Sequence, residues 1–171
     1  MNEQNGTSNL VYRRWRPKDD REAAARHAEA INEEYPEDPD TSVGQITEYL
    51  DGMLVVSSTE MIWCFDGVKP VGLLTYTEEE EAILPFCFIF TFAVLPSHQK
   101  RGIGAALLEQ VKDVARGRLP IIVRGINDVA IPRLIAAGFW EIPGFTRNRR
   151  FKWSDLPEQQ NNDTPWDGSD D

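Results

Sequence analysis

The stretch Val94-Leu95-Pro96-Ser97-His98-Gln99-Lys100-Arg101-Gly102-Ile103-Gly104 joins the most apolar strand-like run of the chain, Phe86 to Val94, to its most regular amphipathic run. In that second run Ile103, Leu107, Val111 and Val114 recur at helical spacing, which predicts a helix over 103–116. A helix start leaves backbone N–H groups without intrahelical acceptors, and glycines there let a ligand approach the main chain with no Cβ in the way. A loop of this kind can hold phosphate oxygens, and Lys100 and Arg101 add positive charge beside it. A nucleotide P-loop does not fit, because Gly104 is followed by Ala105-Ala106 where Lys-Ser/Thr is required. A dinucleotide fingerprint fails too: Leu107 stands where a small residue is needed, and the loop after the strand is too long. Taken without the rest of the chain, the two glycines favour a strand-to-helix turn that binds nothing.

Outward from this loop the pattern alternates. On the N-terminal side, Val11 to Trp15 reads as a strand, Arg21 to Ile31 as a helix capped from Pro17-Lys18-Asp19-Asp20, and Ser42 to Leu50 as a second short helix. Glu60 to Phe65 and Val71 to Thr77 are β-rich runs separated by the hairpin signal Asp66-Gly67. Phe86 to Val94 has the composition of a central strand covered on both faces. On the C-terminal side, Gly117 is placed to stop the long helix, and Ile121 to Val123 is a strand. A short helix over 129–137 ends at Gly138, and Phe139 to Ile142 with Arg150 to Trp153 forms a closing pair. The fold class is α/β, with a mixed sheet of about six or seven strands.

Composition bounds the rest. The 171 residues are 41% hydrophobic and 10% aromatic, enough for one ordinary core. No run is long and apolar enough for a bilayer span, and Met1 to Leu10 has no signal-peptide pattern, so a cytoplasmic protein without membrane partners is expected. Cys64 and Cys87, each flanked by aromatics, read as buried thiols, and neither they nor His27 and His98 have metal-ligand spacing. No metal is expected. The net charge is −10. Asp155, Glu158, Asp163, Asp167, Asp170 and Asp171 supply most of it in a segment with no Lys or Arg, which is expected to be disordered over 155–171. Residues 1–9 are expected to form a flexible terminus and 10–154 the folded domain. This charge disfavours nucleic acid as a partner, while the acidic patch Glu33 to Asp51 suits a cationic one.

Gln99-Lys100-Arg101-Gly102-Ile103-Gly104 fits the Gln/Arg-x-x-Gly-x-Gly/Ala signature, and the segment resembles the GNAT superfamily of N-acetyltransferases. The preceding strand, the Val-x-Pro step and the amphipathic helix match as well, as do Asn127, Ala130 and Gly138-Phe139 downstream. The resemblance is strongest over 88–139. It implies a mostly antiparallel sheet flanked by about four helices, acetyl-CoA as cosubstrate and a primary amine, here a cationic one, as acceptor. Acetyl-CoA would lie between the Phe86 to Val94 and Ile121 to Val123 strands. Its pyrophosphate would rest on the main chain of Gln99, Lys100, Arg101, Gly102, Ile103 and Gly104, its pantetheine arm beside Ala93 and Val94, and Asn127 near that arm. A homodimer is compatible with this reading.

The chemistry needs an amine freed of its proton, an amide to polarise the thioester carbonyl, and a way to protonate the departing sulfur. The family's usual acid is a tyrosine in the helix after Asn127, and the matching residue here is Leu134, with Pro132 in the same helix. Tyr76 is a substitute candidate for the acid, and Glu34 and Glu48 are candidates for the base. The alternative is a catalytically impaired CoA-binding or protein-interaction module on the same fold.

Overall fold

The computed structural model describes residues 9–15, 59–79, 85–124, 130–145 and 149–156. In chain order these form β1 (Leu10–Trp15), β2 (Thr59–Asp66), β3 (Lys69–Glu79), β4 (Phe86–Val94), α1 (Ile103–Ala115), β5 (Ile121–Arg124), α2 (Ala130–Ala136), β6 (Trp140–Ile142) and β7 (Arg150–Trp153). A single 3₁₀ turn, Pro96–His98, lies between β4 and α1. The strands make a seven-stranded sheet in the order β1-β2-β3-β4-β5-β7-β6. β1 with β2, β5 with β7 and β6 with β7 are antiparallel, whereas β4 and β5 run parallel through Cys87↔Ile121, Phe88↔Ile122 and Ile89↔Val123. The expected α/β class and mixed, mostly antiparallel sheet are therefore present. Two of the four expected α-helices occur among the described residues; those read over 21–31 and 42–50 lie outside them, as do Glu34 and Glu48.

Local chemistry explains the boundaries. Only Gly67 and Val68 separate β2 from β3, a connection short enough to require an antiparallel return, and Gly67 takes a φ of +64° to make it. β4 alternates, with Cys87 and Ile89 buried on one side. On the other side Phe86 and Phe88 are half-buried and Phe90 is 37% exposed, so full cover on both faces, as the composition suggested, is not what the strand has. Edge-to-face stacking, with Phe88 and Phe90 centroids 4.7 Å apart, packs these rings against one another instead. α2 begins at Ala130, which puts Pro132 in its first turn, where an N–H has no intrahelical acceptor to lose.

The chain divides into two compact units, Met1–Thr75 with Thr91–Leu107, and Tyr76–Phe90 with Leu108–Asp171. In the first, Met61, Trp63, Leu74, Leu95, Ile103 and Leu107 are fully buried. A Cβ built on Gly72 of β3 would lie 2.9 Å from Ile103 Cγ2 and 3.2 Å from Leu107 Cδ1, so this glycine lets the first turns of α1 sit directly on the sheet. Cys64 is a buried free thiol, as expected, and faces Tyr12 across the β1–β2 register. Burial, and then the hydrogen bond to Cys64, push the Tyr12 phenol up from 10.0 to about 12, and burial likewise raises the Cys64 thiol. The folded state thus retains a phenol proton that the unfolded chain releases. Stability is expected to fall as pH rises from about 10 to about 12, and Tyr12→Phe should flatten that part of a pH–stability curve measured by urea unfolding.

In the second unit Cys87, the other buried free thiol, lies with Tyr76, Val111, Ile121, Leu134 and Phe151 in the core. Gly117 ends α1's C-terminal region at a φ of +66°, and its N–H donates to the Asp155 carboxylate, 3.1 Å and 3.2 Å from the two oxygens. The expected start of the acidic tail therefore falls on a residue fastened to the fold. Lys112, 6% exposed, lies over the rings of Phe139 and Trp153 at 5.7 Å and 5.5 Å. Its ammonium donates to Glu109 at 2.7 Å and to the Ala137 carbonyl at the end of α2.

Candidate functional site

The loop after β4 belongs wholly to the first unit. Leu95 is fully buried and its N–H donates to the Val71 carbonyl of β3 at 3.0 Å, so the chain leaves the sheet from a fixed point. The 3₁₀ turn follows, closed by His98 N–H to Leu95 O at 2.9 Å and Gln99 N–H to Pro96 O at 3.3 Å. Gln99 then turns its side chain back, Nε2 donating to the Val94 carbonyl at 3.2 Å.

The next three residues carry the unusual backbone. Lys100 has a φ of +63°, the one positive value at a non-glycine among the described residues, and Gly102 has +80°. The two left-handed residues flank Arg101, whose φ is not positive, and such alternation of hand is a kind of backbone from which anion-binding concavities are made. The Gly102 carbonyl accepts the first helical bond, from Ala106 N–H at 3.0 Å. The N–H groups of Gly102, Ile103, Gly104 and Ala105 find no protein acceptor among the described residues. The positive end of α1 adds to their pull on an anion.

The two glycines serve different ends. A Cβ on Gly102 would meet nothing within 4 Å, so the space above it is open and its φ is what demands glycine. A Cβ on Gly104 would stand 3.1 Å from the Phe92 ring, so here glycine admits a close neighbour. The close approach of Phe92 to Gly104 is a second demand for glycine that the sequence does not reveal.

The side chains are distributed unexpectedly. Lys100 is exposed and has no ion-pair partner among the described residues. Arg101 does not stand free: its Nη1 lies 3.0 Å from Asp66 Oδ2 at the end of β2. His98 Nε2 is 3.5 Å from the same oxygen, and its Nδ1 is 2.8 Å from Ser97 Oγ. Asp66 was legible in the sequence only as half of a turn, and nothing in its spacing announced a partner 35 positions on.

Of the other expected site residues, Ala93 is half-buried and Val94 buried at the end of β4. Ile103 is buried and anchors α1 rather than facing a ligand with its side chain. Tyr76 is fully buried in β3, and Leu134 is 1% exposed in α2. Asn127 lies outside the described residues.

A strand, a 3₁₀ turn, a glycine-bearing loop and an amphipathic helix in this order match a known domain. The family model for the acetyltransferase (GNAT) family matches residues 21–145. The chain belongs to this family. Solved structures agree on the fold of the GNAT chain. An acetyltransferase from Thermus thermophilus is 18% identical with a TM-score of 0.63, covering 84% of this chain and 96% of its own. The PaiA N-acetyltransferase of Thermoplasma acidophilum, in complex with coenzyme A, is 11% identical with a TM-score of 0.56, covering 84% and 98%. An aminoglycoside acetyltransferase from an uncultured soil metagenomic sample, in complex with sisomicin, is 20% identical with a TM-score of 0.56, covering 75% and 86%. No curated protein matches the sequence. Among the described residues of this GNAT chain, no helix is long and apolar enough to cross a membrane.

Proposed function

We propose that this GNAT chain transfers an acetyl group from acetyl-CoA to a primary, cationic amine. The observation that carries the reading is the open main chain at Gly102, where four consecutive N–H groups from Gly102 to Ala105 have no protein acceptor among the described residues. Backbone N–H groups at a helix start suit phosphate oxygens, such as those of a CoA pyrophosphate. Lys100, exposed beside it, supplies a charge for the same phosphates.

Acetyl-CoA contributes the activated thioester. This chain's part is to hold it by the loop and the pantetheine-facing groups of Ala93 and Val94, with Asn127 beside the arm. The acceptor amine, mostly protonated at neutral pH, must lose a proton before its lone pair can attack the carbonyl. Glu34 or Glu48 is proposed to take it, directly or through water. When the C–S bond breaks, the sulfur leaves as thiolate and takes a proton from Tyr76 or from water, since Leu134 has none to give. Proximity accounts for much of the acceleration. The enzyme is proposed to work in the cytoplasm, as a monomer or homodimer, with neither nucleic acid nor metal.

The test is release of free CoA thiol from acetyl-CoA with a panel of polyamines, aminoglycosides and peptide amines. Turnover with a cationic amine supports the reading, and its absence with every amine, despite acetyl-CoA binding, favours the impaired module. Leu134 is the specific observation behind that second reading. If Glu33, Glu34 and Glu48 attract the acceptor, their triple Gln variant should raise the amine KM several-fold while leaving the acetyl-CoA KM in place. An unchanged amine KM removes the electrostatic argument for a cationic substrate.

A further inference from the structure

The left-handed backbone at Lys100 has to be held. An L residue there costs roughly 1–2 kcal/mol, and such conformations persist where the surroundings over-determine them. Two side chains do so from either side. Before Lys100, Gln99 is tied to the Val94 carbonyl at 3.2 Å. After it, Arg101 is tied to Asp66 at 3.0 Å, with His98 3.5 Å from the same carboxylate oxygen. Asp66 ends β2 and enters the β2–β3 turn, so the second tie runs to the sheet itself.

We propose that Asp66 is a positioning residue for the phosphate loop: through Arg101 it fixes residues 100–102 in the alternating φ pattern that presents their N–H groups to the CoA pyrophosphate. This rests on the acetyl-CoA reading above and deepens it. Arg101 then serves mainly as a tether, while Lys100 is the side chain left to meet a phosphate.

Simple electrostatics makes the opposite forecast. A carboxylate near an anion site repels the anion, so removing it should tighten binding. Positioning requires that removing it weaken binding, and the sign of the effect separates the two.

The experiment is isothermal titration of the full chain with acetyl-CoA for wild type, Asp66→Ala, Arg101→Ala and the double variant. Each single change is expected to raise Kd about five- to tenfold. The double variant should be no worse than the poorer single, because both cut the same tie. The ion pair is partly exposed, so melting temperatures should move little. Hydrogen exchange of the His98, Gln99 and Ala106 amides, which donate within the loop, should nevertheless quicken in Asp66→Ala, a local change that general destabilisation would not confine to the loop. Asp66→Asn serves in its place if the alanine variant does not fold. Unchanged or tighter binding in the Asp66 variant, or fully additive losses in the double, overturns the assignment. A wild-type chain that fails to bind acetyl-CoA overturns the functional reading itself, and the assignment with it.

Discussion

Acetyl-CoA at about a hundred times its Kd is expected to stabilise the wild-type chain by roughly 2.7 kcal/mol, and the Gly102→Glu, Gly104→Glu double variant to lose that shift entirely. Both changes act on the cradle. At position 102 a glutamate would be forced into a φ of +80° and would send its carboxylate into the open space above the loop. At position 104 its Cβ would press on the Phe92 ring from 3.1 Å, a distance at which the ring must give way. The variant should therefore be less stable by a few kcal/mol, about 1–2 of it from the left-handed residue, yet still fold. Thermal unfolding with and without ligand, alongside circular dichroism of each protein, reads the result. A ligand-induced rise that survives in the double variant would put the binding site elsewhere on the chain.

Lys112→Ala should be the most damaging single change considered, lowering stability by about 2–4 kcal/mol and the melting temperature by roughly 5–12 °C. The side chain is 6% exposed, and its stem is packed while its ammonium reaches Glu109, the Ala137 carbonyl and two aromatic faces. Truncation removes the stem's contacts, leaves the carbonyl at the end of α2 without this donor, and opens space under Phe139 and Trp153. Lys112→Met separates the contributions. It retains most of the apolar stem and removes the charge, so a loss less than half that of alanine would show that packing dominates. Equal losses would assign the effect to the ammonium.

How much of this was legible in the sequence depends on whether the signal was local. β4 runs over the same residues as the apolar run that announced it, and α1 starts at the expected Ile103, because strand composition and helical periodicity are written in neighbouring residues. The hairpin at Gly67 and the helix stop at Gly117 follow from left-handed φ values that only glycine adopts cheaply, and both were readable. The features that escaped are contacts between distant segments. Arg101 read as positive charge beside the loop, with nothing to announce a partner 35 positions away, and Asp155 looked like the first residue of a solvated tail although it accepts from Gly117, 38 positions earlier. Lys112 stands three residues after Glu109 on the helix, and its burial depends on Ala137, Phe139 and Trp153, which no periodicity connects to it. Lys100 in a left-handed conformation ran against its own preference, and residues that do so tend to gather where function requires them.

The strand order β5-β7-β6 has a consequence for the chain as it is made. Synthesis delivers β6 before β7, yet β6 bonds only to β7 among the described strands, and β7 is the strand that fills the place beside β5. Until Arg150 to Trp153 have left the ribosome, β5 presents an open edge and Phe151 has not yet entered the core. A nascent chain arrested at 149 would therefore be a sticky intermediate, while one released at 156 would carry every strand described here.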